Sequence, residues 1–187
     1  MLIVFPVEMP LEALLAARGR VLTPRPDFCP ACGHKRVTFA GWWTKRTRYG
    51  PVDIHRAACK ACAVTHSCWP DVLVGGRVDT AEVIGAALGA AAEGAGHRPI
   101  AATLGLPAAT VRNWLRRARR LAAGLCARLF AAAAAAYPIV AWPAVGPGLA
   151  LLVAAAGLAA AAFARLSGEW SHPWRLAVLV CCGRLLG

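Results

Sequence analysis

Apolar positions change their spacing along the chain, and each change predicts a different element. From Val37 to Trp43 and from Val52 to Ala58 apolar residues recur in part at period two, as in half-buried strands, with Tyr49-Gly50-Pro51 between them as a turn signal. A third short strand is predicted from Val64 to Trp69. Beyond Val78 the period lengthens to that of helices. Asp79 followed by Glu82 predicts an N-cap with a carboxylate in the first turn, opening a helix that runs to about Glu93 and stops at Gly94 or Gly96. Pro99 opens a short second helix carrying Ile100, Ala101 and Leu104, which Gly105 ends. Leu106 and Pro107 start a third. The six alanines at 131–136 extend that helix or form a linker, with helix propensity as the only signal.

Two identical cysteine knuckles frame the strand region: Cys29-Pro30-Ala31-Cys32 and Cys59-Lys60-Ala61-Cys62. Two residues between ligands let a tight turn aim both sulfurs at one point, and two such turns supply the four thiolates of a closed structural zinc site. The 26 residues between Cys32 and Cys59 are enough for two strands and a turn, so a zinc ribbon is expected. A redox dithiol needs one CxxC opening a helix, and here there are two. A catalytic zinc keeps an open coordination position, which four thiolates do not leave. His34, His66 and Cys68 could each replace a ligand, but are read as strand or loop residues, because the knuckle sulfurs already satisfy the metal. The ribbon by itself is too small to bury an adequate core, so metal binding is expected to supply much of its folding free energy.

Eight cysteines in 187 residues would suggest disulfides in a secreted protein, but the first apolar run, Leu2 to Phe5, follows no basic segment and stops at Pro6 and Glu8. No signal peptide is read there, and a reducing cytoplasm suits thiolate ligands. Cys126, Cys181 and Cys182 are expected to pack in apolar surroundings.

The net charge of +12 and the isoelectric point near 10.2 invite a polyanionic partner. Arginine outnumbers lysine 18 to 3, a bias that a GC-rich genome produces unaided, so placement has to decide. Arg112, Arg116, Arg117, Arg119 and Arg120 fall within nine residues that hold no acid. They lie on the third predicted helix, after a short helix and a glycine turn, which is the helix-turn-helix order. At about 100° per residue, Val111, Trp114, Leu115, Ala118, Leu121 and Ala122 share one arc, and the arginines with Asn113 occupy the rest. Residues near the start of such a helix meet base edges, which nominates Ala109, Arg112, Asn113 and Arg116 for sequence readout. Arg117, Arg119 and Arg120 are placed for phosphate contact with double-stranded DNA. The competing reading is a solvated basic face in an ordinary bundle.

The order Cys-Pro-x-Cys-Gly-His at 29–34, Gly-Trp-Trp at 41–43, Cys-Lys-x-Cys at 59–62 with Thr65-His66, and Ile-Ala-x-x-Leu-Gly-Leu-Pro-x-x-Thr-Val-Arg-x-Trp-Leu-Arg-Arg at 100–117 resembles a family of uncharacterised, transposase-like proteins from GC-rich bacteria. Its members look like the zinc-ribbon and helix-turn-helix front end of insertion-sequence transposases. The resemblance covers about residues 25–120, and Trp174-Arg175-Leu176 and Gly183-Arg184-Leu185-Leu186 also look familial. It implies zinc at Cys29, Cys32, Cys59 and Cys62 and DNA contact from the helix bearing Thr110, Arg112 and Asn113. Ala109 stands where such helices often carry Ser, so one phosphate or capping contact is missing here. The family brings no established activity.

No transposase catalyst is legible. A two-metal nuclease needs several carboxylates, and beyond Glu93 the chain has only Glu169. Neither Tyr49 nor Tyr137 sits in a recognisable recombinase site, and Ser67, Ser167 and Ser171 are the only serines. Catalysis for a mobile element would come from a separate recombinase or transposase.

From Phe130 to Ala164 no residue is charged, and Gly148 to Ala164 is a 17-residue apolar run. Nine of those residues are Ala and two are Gly, which contribute little to membrane insertion. Leu151, Leu152, Leu158 and Phe163 are expected to pack as a stripe against protein. The chain therefore reads as a cytoplasmic α+β protein: an N-terminal segment with a short helix (1–24), a zinc ribbon (25–76), a helix-turn-helix (78–122) and an Ala-rich helical tail (123–187) that packs on them or on a second copy. Non-enzymatic DNA binding, as transcription regulator or mobile-element accessory without a small-molecule substrate, is the function expected. A protein-interaction adaptor and a membrane-tethered regulator are the alternatives.

Overall fold

A computed structural model of the chain describes residues 2–20, 25–136, 143–167, 172–183 and 185–186. Tyr137, Pro138, Glu169, Ser171 and Arg184 lie outside the described residues. The fold is α+β, with the strands in the N-terminal third and the long helices after them. In chain order the elements are β1 (Leu2–Phe5), α1 (Leu11–Ala16), β2 (Val37–Thr47), β3 (Gly50–Cys59), β4 (Thr65–Pro70), α2 (Ala81–Ala92), α3 (His97–Leu104), α4 (Ala108–Ala136), α5 (Leu149–Ser167) and α6 (Pro173–Val180).

The sheet runs β1-β4-β3-β2, antiparallel except for the parallel pair β1 and β4. β2 and β3 form the expected hairpin, with Thr47 opposite Gly50, so the turn is Arg48-Tyr49, one residue earlier than the Gly-Pro signal suggests. Gly50 follows it at a φ of 138°, which accounts for the glycine there. Four apolar residues at the N-terminus, Leu2 to Phe5, add a strand that the period-two reading did not assign.

Each sheet face carries a small core. One face packs Val52, Ile54 and Trp69 with Leu14, Val72 and Leu73, and the other packs Val37, Ala57, Cys59 and Cys68 with Cys29. Trp69 Nε1 donates to the Leu73 carbonyl at 2.6 Å, so the buried indole leaves no donor unpaired. Lys45 is buried beside that ring, its Nζ donating to the Arg77 carbonyl at 2.6 Å, and burial lowers its pKa.

The helices share one larger core that draws on α2, α3, α4, α5 and α6. Thr80, not Asp79, caps α2, its side chain accepting from Val83 N. The Asp79 carboxylate is taken instead by the Arg48 guanidinium, which ties the hairpin turn to the start of α2. Helix α3 begins at His97 behind Gly96, so Pro99 stands third in the helix, within the first turn, where a missing N–H costs nothing. Gly105 ends α3 in the left-handed region at φ 63°. Helix α4 is continuous to Ala136, so the alanine run extends it.

The stripe that α5 buries differs from the Leu and Phe stripe expected. Leu152 is fully buried, but Ala155, Ala156, Ala159 and Ala160 form most of the covered face, while Leu151, Leu158 and Phe163 are only half-buried. Small side chains let α5 pack closely on α4, so contact between the backbones replaces burial of large residues. Among the described residues no helix is long and apolar enough to cross a membrane.

Sheet and helices meet along a seam made by α6 and the last residues. Arg175 donates to Asp71 Oδ1 at 2.7 Å and to the Val7 carbonyl, and its Nε lies 3.7 Å from Glu82 Oε1. Asp71 also accepts from Val7 N at 3.2 Å. Burial pushes the Asp71 carboxyl pKa up, and Arg175 and the Val7 N–H pull it part of the way back. Trp174 lies against Gly85, where a Cβ would come 1.9 Å from the indole, and Gly75 N donates to the Gly183 carbonyl at 2.7 Å. Replacing Arg175 by Ala strands the Asp71 carboxylate without its cation. We expect a cost of about 3 kcal/mol, read as a fall of roughly 6–12 °C in the thermal midpoint of the full chain.

Candidate functional site

The two knuckles are built alike. Gly33 N donates to the Cys29 carbonyl at 2.7 Å and Ala63 N to the Cys59 carbonyl at 3.0 Å, each closing a turn around its cysteine pair. The residue after each pair is left-handed, Gly33 at φ 73° and Ala63 at φ 60°. Glycine adopts that conformation freely, and alanine does so at a cost of about 1 kcal/mol. Cys29 N reaches the His34 carbonyl at 2.8 Å and Cys59 N the Val64 carbonyl at 3.0 Å, so each turn is locked to the chain that leaves it.

These turns bring the four sulfurs of Cys29, Cys32, Cys59 and Cys62 within 4.8 Å of one another. Cys29 and Cys62 are 3.7 Å apart, as are Cys32 and Cys59. A tetrahedron with metal–sulfur bonds of about 2.3 Å has edges of about 3.8 Å, whereas a disulfide needs sulfurs at about 2.05 Å. The cluster therefore fits a single ion, and all four cysteines are free. Their ionisation is split. The backbone N–H groups of Cys62 and Ala61 bring the Cys59 thiol down to about 7, despite some burial. The His34 backbone also lowers Cys32, but the sulfurs of Cys62, Cys59 and Cys29 together with burial outweigh it and raise that thiol to about 12. Crowded thiolates repel, and a cation between them removes the conflict and releases their protons.

His66, read from the sequence as a strand or loop residue, lies on β4 as expected, but it also stands next to the cluster. It is fully buried on β4, with Nε2 3.3 Å from Cys29 Sγ. Burial lowers its pKa, and against a Cys29 thiolate a proton on Nε2 would be donated to the sulfur. Nδ1 is buried and has no protein partner among the described residues. His34 Nδ1 instead accepts from Arg36 N at 3.0 Å, and Cys68 lies buried in β4 with its thiol pKa raised by burial. Cys126 and Cys181 pack in the helical core, but Cys182, expected there, is exposed in the turn after α6 at φ 50°. That left-handed turn reverses the chain so that Gly183 can meet Gly75, which directs the Cys182 side chain outward.

The second set of nominated residues lies on α4. Its inner face buries Val111, Trp114, Leu115 and Ala118, with Leu121 half-buried beside them. Ala109, Arg112, Asn113, Arg116, Arg119 and Arg120 are exposed, and Thr110 is half-exposed. Arg116 Nη2 donates to Asn113 Oδ1 at 3.3 Å, which couples two of the nominated base readers. Arg117 differs from its neighbours, because it is half-buried and its Nη1 donates to the Leu186 carbonyl at 3.2 Å. Arg77 reaches the same carbonyl at 3.0 Å, and its pKa is lowered by burial and by the Arg117 charge.

Metal analysis of the chain purified without chelator should find one ion per molecule, and Cys59→Ser should lose it and unfold residues 25–70. His66→Phe should keep the ion at full stoichiometry but loosen it about 10- to 100-fold, as loss of a ligand's hydrogen-bond partner does, measured by competition with a chromophoric chelator.

Compared with family models, with curated proteins and with solved structures, the chain finds no match in any of the three.

Proposed function

We propose that this protein is a zinc-stabilised, non-enzymatic DNA-binding protein, a transcription regulator or a transposase-like accessory of a mobile element, in which α3 and α4 form a helix-turn-helix. Zinc is the ion best matched to four thiolates at tetrahedral spacing, since cations such as magnesium and calcium prefer oxygen. The observation that carries the DNA reading is the division of α4 into a buried apolar face and an exposed arginine face behind the left-handed turn at Gly105. From His97 to Ala136 the chain holds seven arginines and no acid, so nothing on these helices offsets their positive field.

In this reading Arg112, Asn113 and Arg116 face base edges in the major groove, with Ala109 and Thr110 at the helix start beside them. Arg119 and Arg120 meet phosphates. Arg117 contributes charge while holding the C-terminal residues through Leu186. The ribbon's part is architectural, because Arg48 and Asp79 fix the hairpin to the N-terminus of α2, on which α3 and α4 pack.

Selection of binding sites from a random duplex pool by the zinc-loaded full chain tests this. One enriched motif supports the proposal, and a pool left unenriched with no duplex retained favours the adaptor. Arg119→Ala and Arg120→Ala should weaken binding to all sequences alike and flatten its salt dependence by about one unit of slope for each phosphate no longer neutralised. Arg112→Ala and Asn113→Ala should narrow the gap between cognate and random DNA by roughly 1–3 kcal/mol, measured by titration at fixed salt.

A further inference from the structure

The sheet face that carries the metal cluster continues into an open groove of about 650 Å³, lined by Arg20, Arg25, Asp27, Phe39, Trp42, His55, Arg56 and Ala57. Its aromatic wall depends on a bulge. Phe39 pairs with Ala57 and Trp42 with His55, so three steps along β2 match two along β3. In a regular strand residues three apart point to opposite faces. The extra residue at Ala40-Gly41, with Gly41 at φ 90°, puts Phe39 and Trp42 on one face, their ring centroids 5.7 Å apart. Both rings are about half exposed, Phe39 at 56% and Trp42 at 48%, although two large aromatics on a strand would ordinarily be covered.

Charge surrounds the rings. Asp53 is fully covered and holds Arg18 at 3.4 Å and Arg20 at 2.8 Å, and Thr44 Oγ1 donates to it at 2.7 Å. Held in this way, the Arg20 guanidinium lies 4.8 Å from the Trp42 ring centre. Arg25 and Arg56 add two further cations and Asp27 one anion, so three arginines and one aspartate line the groove, with Asp53 held beneath Arg20. Behind the rings lies His55, 7% exposed, its centroid 5.4 Å from Phe39 and 6.2 Å from Trp42. Its Nε2 is buried and has no hydrogen-bond partner among the described residues. Burial lowers its pKa against the opposing pull of Asp53, so the ring is neutral.

From this juxtaposition we propose that the groove binds single-stranded nucleic acid, with an unpaired base stacked on the Phe39 and Trp42 rings and its phosphates met by Arg25 and Arg56. Stacking on aromatic rings inside a cationic groove is how single strands are held with little sequence preference. The volume lies within the range of about 300–1,000 Å³ that small-ligand sites occupy, room for a nucleotide and not for a duplex. An acidic peptide would satisfy the arginines but would leave the rings unused.

This site is separate from the arginine face of α4, and the test keeps the two apart. Fluorescence anisotropy of a labelled 12-nucleotide oligothymidylate would be titrated with the zinc-loaded full chain. Trp42→Ala and Phe39→Ala should each weaken binding by roughly 5- to 150-fold while duplex affinity stays unchanged, and Trp42→Phe should restore much of the loss. Arg112→Ala with Asn113→Ala should leave oligothymidylate affinity as it was. Zinc content checks that each variant is folded, and an abasic 12-mer titrated against the unaltered chain tests stacking without any substitution. The proposal is overturned if the abasic strand binds as tightly as oligothymidylate, if the two aromatic variants bind like the unaltered chain, or if a poly-glutamate peptide of equal charge competes as well as the oligonucleotide.

Discussion

The placement of the sheet on the helices depends on one guanidinium. Arg175 of α6 reaches Asp71 just beyond β4, the carbonyl of Val7 after β1, and Glu82 in the first turn of α2, joining segments separated by as many as 168 positions. Burial raises the Asp71 pKa against the pull of Arg175 and the Val7 N–H, and a buried ion pair often does little more than offset its own desolvation. Its clearer contribution is to orientation. An apolar seam would tolerate sliding, whereas one guanidinium nitrogen donating to both a carboxylate and a carbonyl narrows the arrangements that satisfy both. Close approaches lie in the same seam, Trp174 on Gly85 and Gly183 on Gly75.

Through this seam the metal cluster and the α4 surface belong to one framework. The cysteine knuckles order the far end of the hairpin, and the hairpin turn carries Arg48 to the start of α2. At the other end, Arg77 and Arg117 share the Leu186 carbonyl, so the C-terminal residues are bound to α4 and to the chain between sheet and helices. A ribbon with so little core has a source of rigidity at each end, four sulfurs placed to hold an ion at one and the helical body at the other.

Much of this was legible in the residues because local chemistry determines it. The knuckle spacing announces the sulfur cluster, period-two runs announce the hairpin, and Gly105 between two helical patterns announces the turn. What escaped the reading is set by partners far away in sequence. Leu2 to Phe5 becomes a strand only because β4 offers it an edge, and Asp79 loses the cap to Thr80 because Arg48, 31 positions earlier, claims its carboxylate. The alanine face of α5 could not be ranked above its leucines without knowing how closely α4 approaches. Arg117 looked like its neighbours on a helical projection, and Leu186 sets it apart. His66 is legible as a strand residue beside the knuckles, but its contact with Cys29 is set by the fold, since nothing near it in the chain points to that sulfur.

The bulge in β2 carries a consequence of another kind. Among the described residues β2 is the outer strand of the sheet, beside β3 alone, and it bears Phe39, Trp42 and Trp43, a composition that invites a second molecule to pair along its open edge. The inserted residue breaks the even row of backbone donors and acceptors that such pairing needs and increases the local twist. The same irregularity that sets the two rings side by side thus also guards an aromatic edge against edge-to-edge aggregation, so straightening the strand by deleting Ala40 would cost solubility together with the groove.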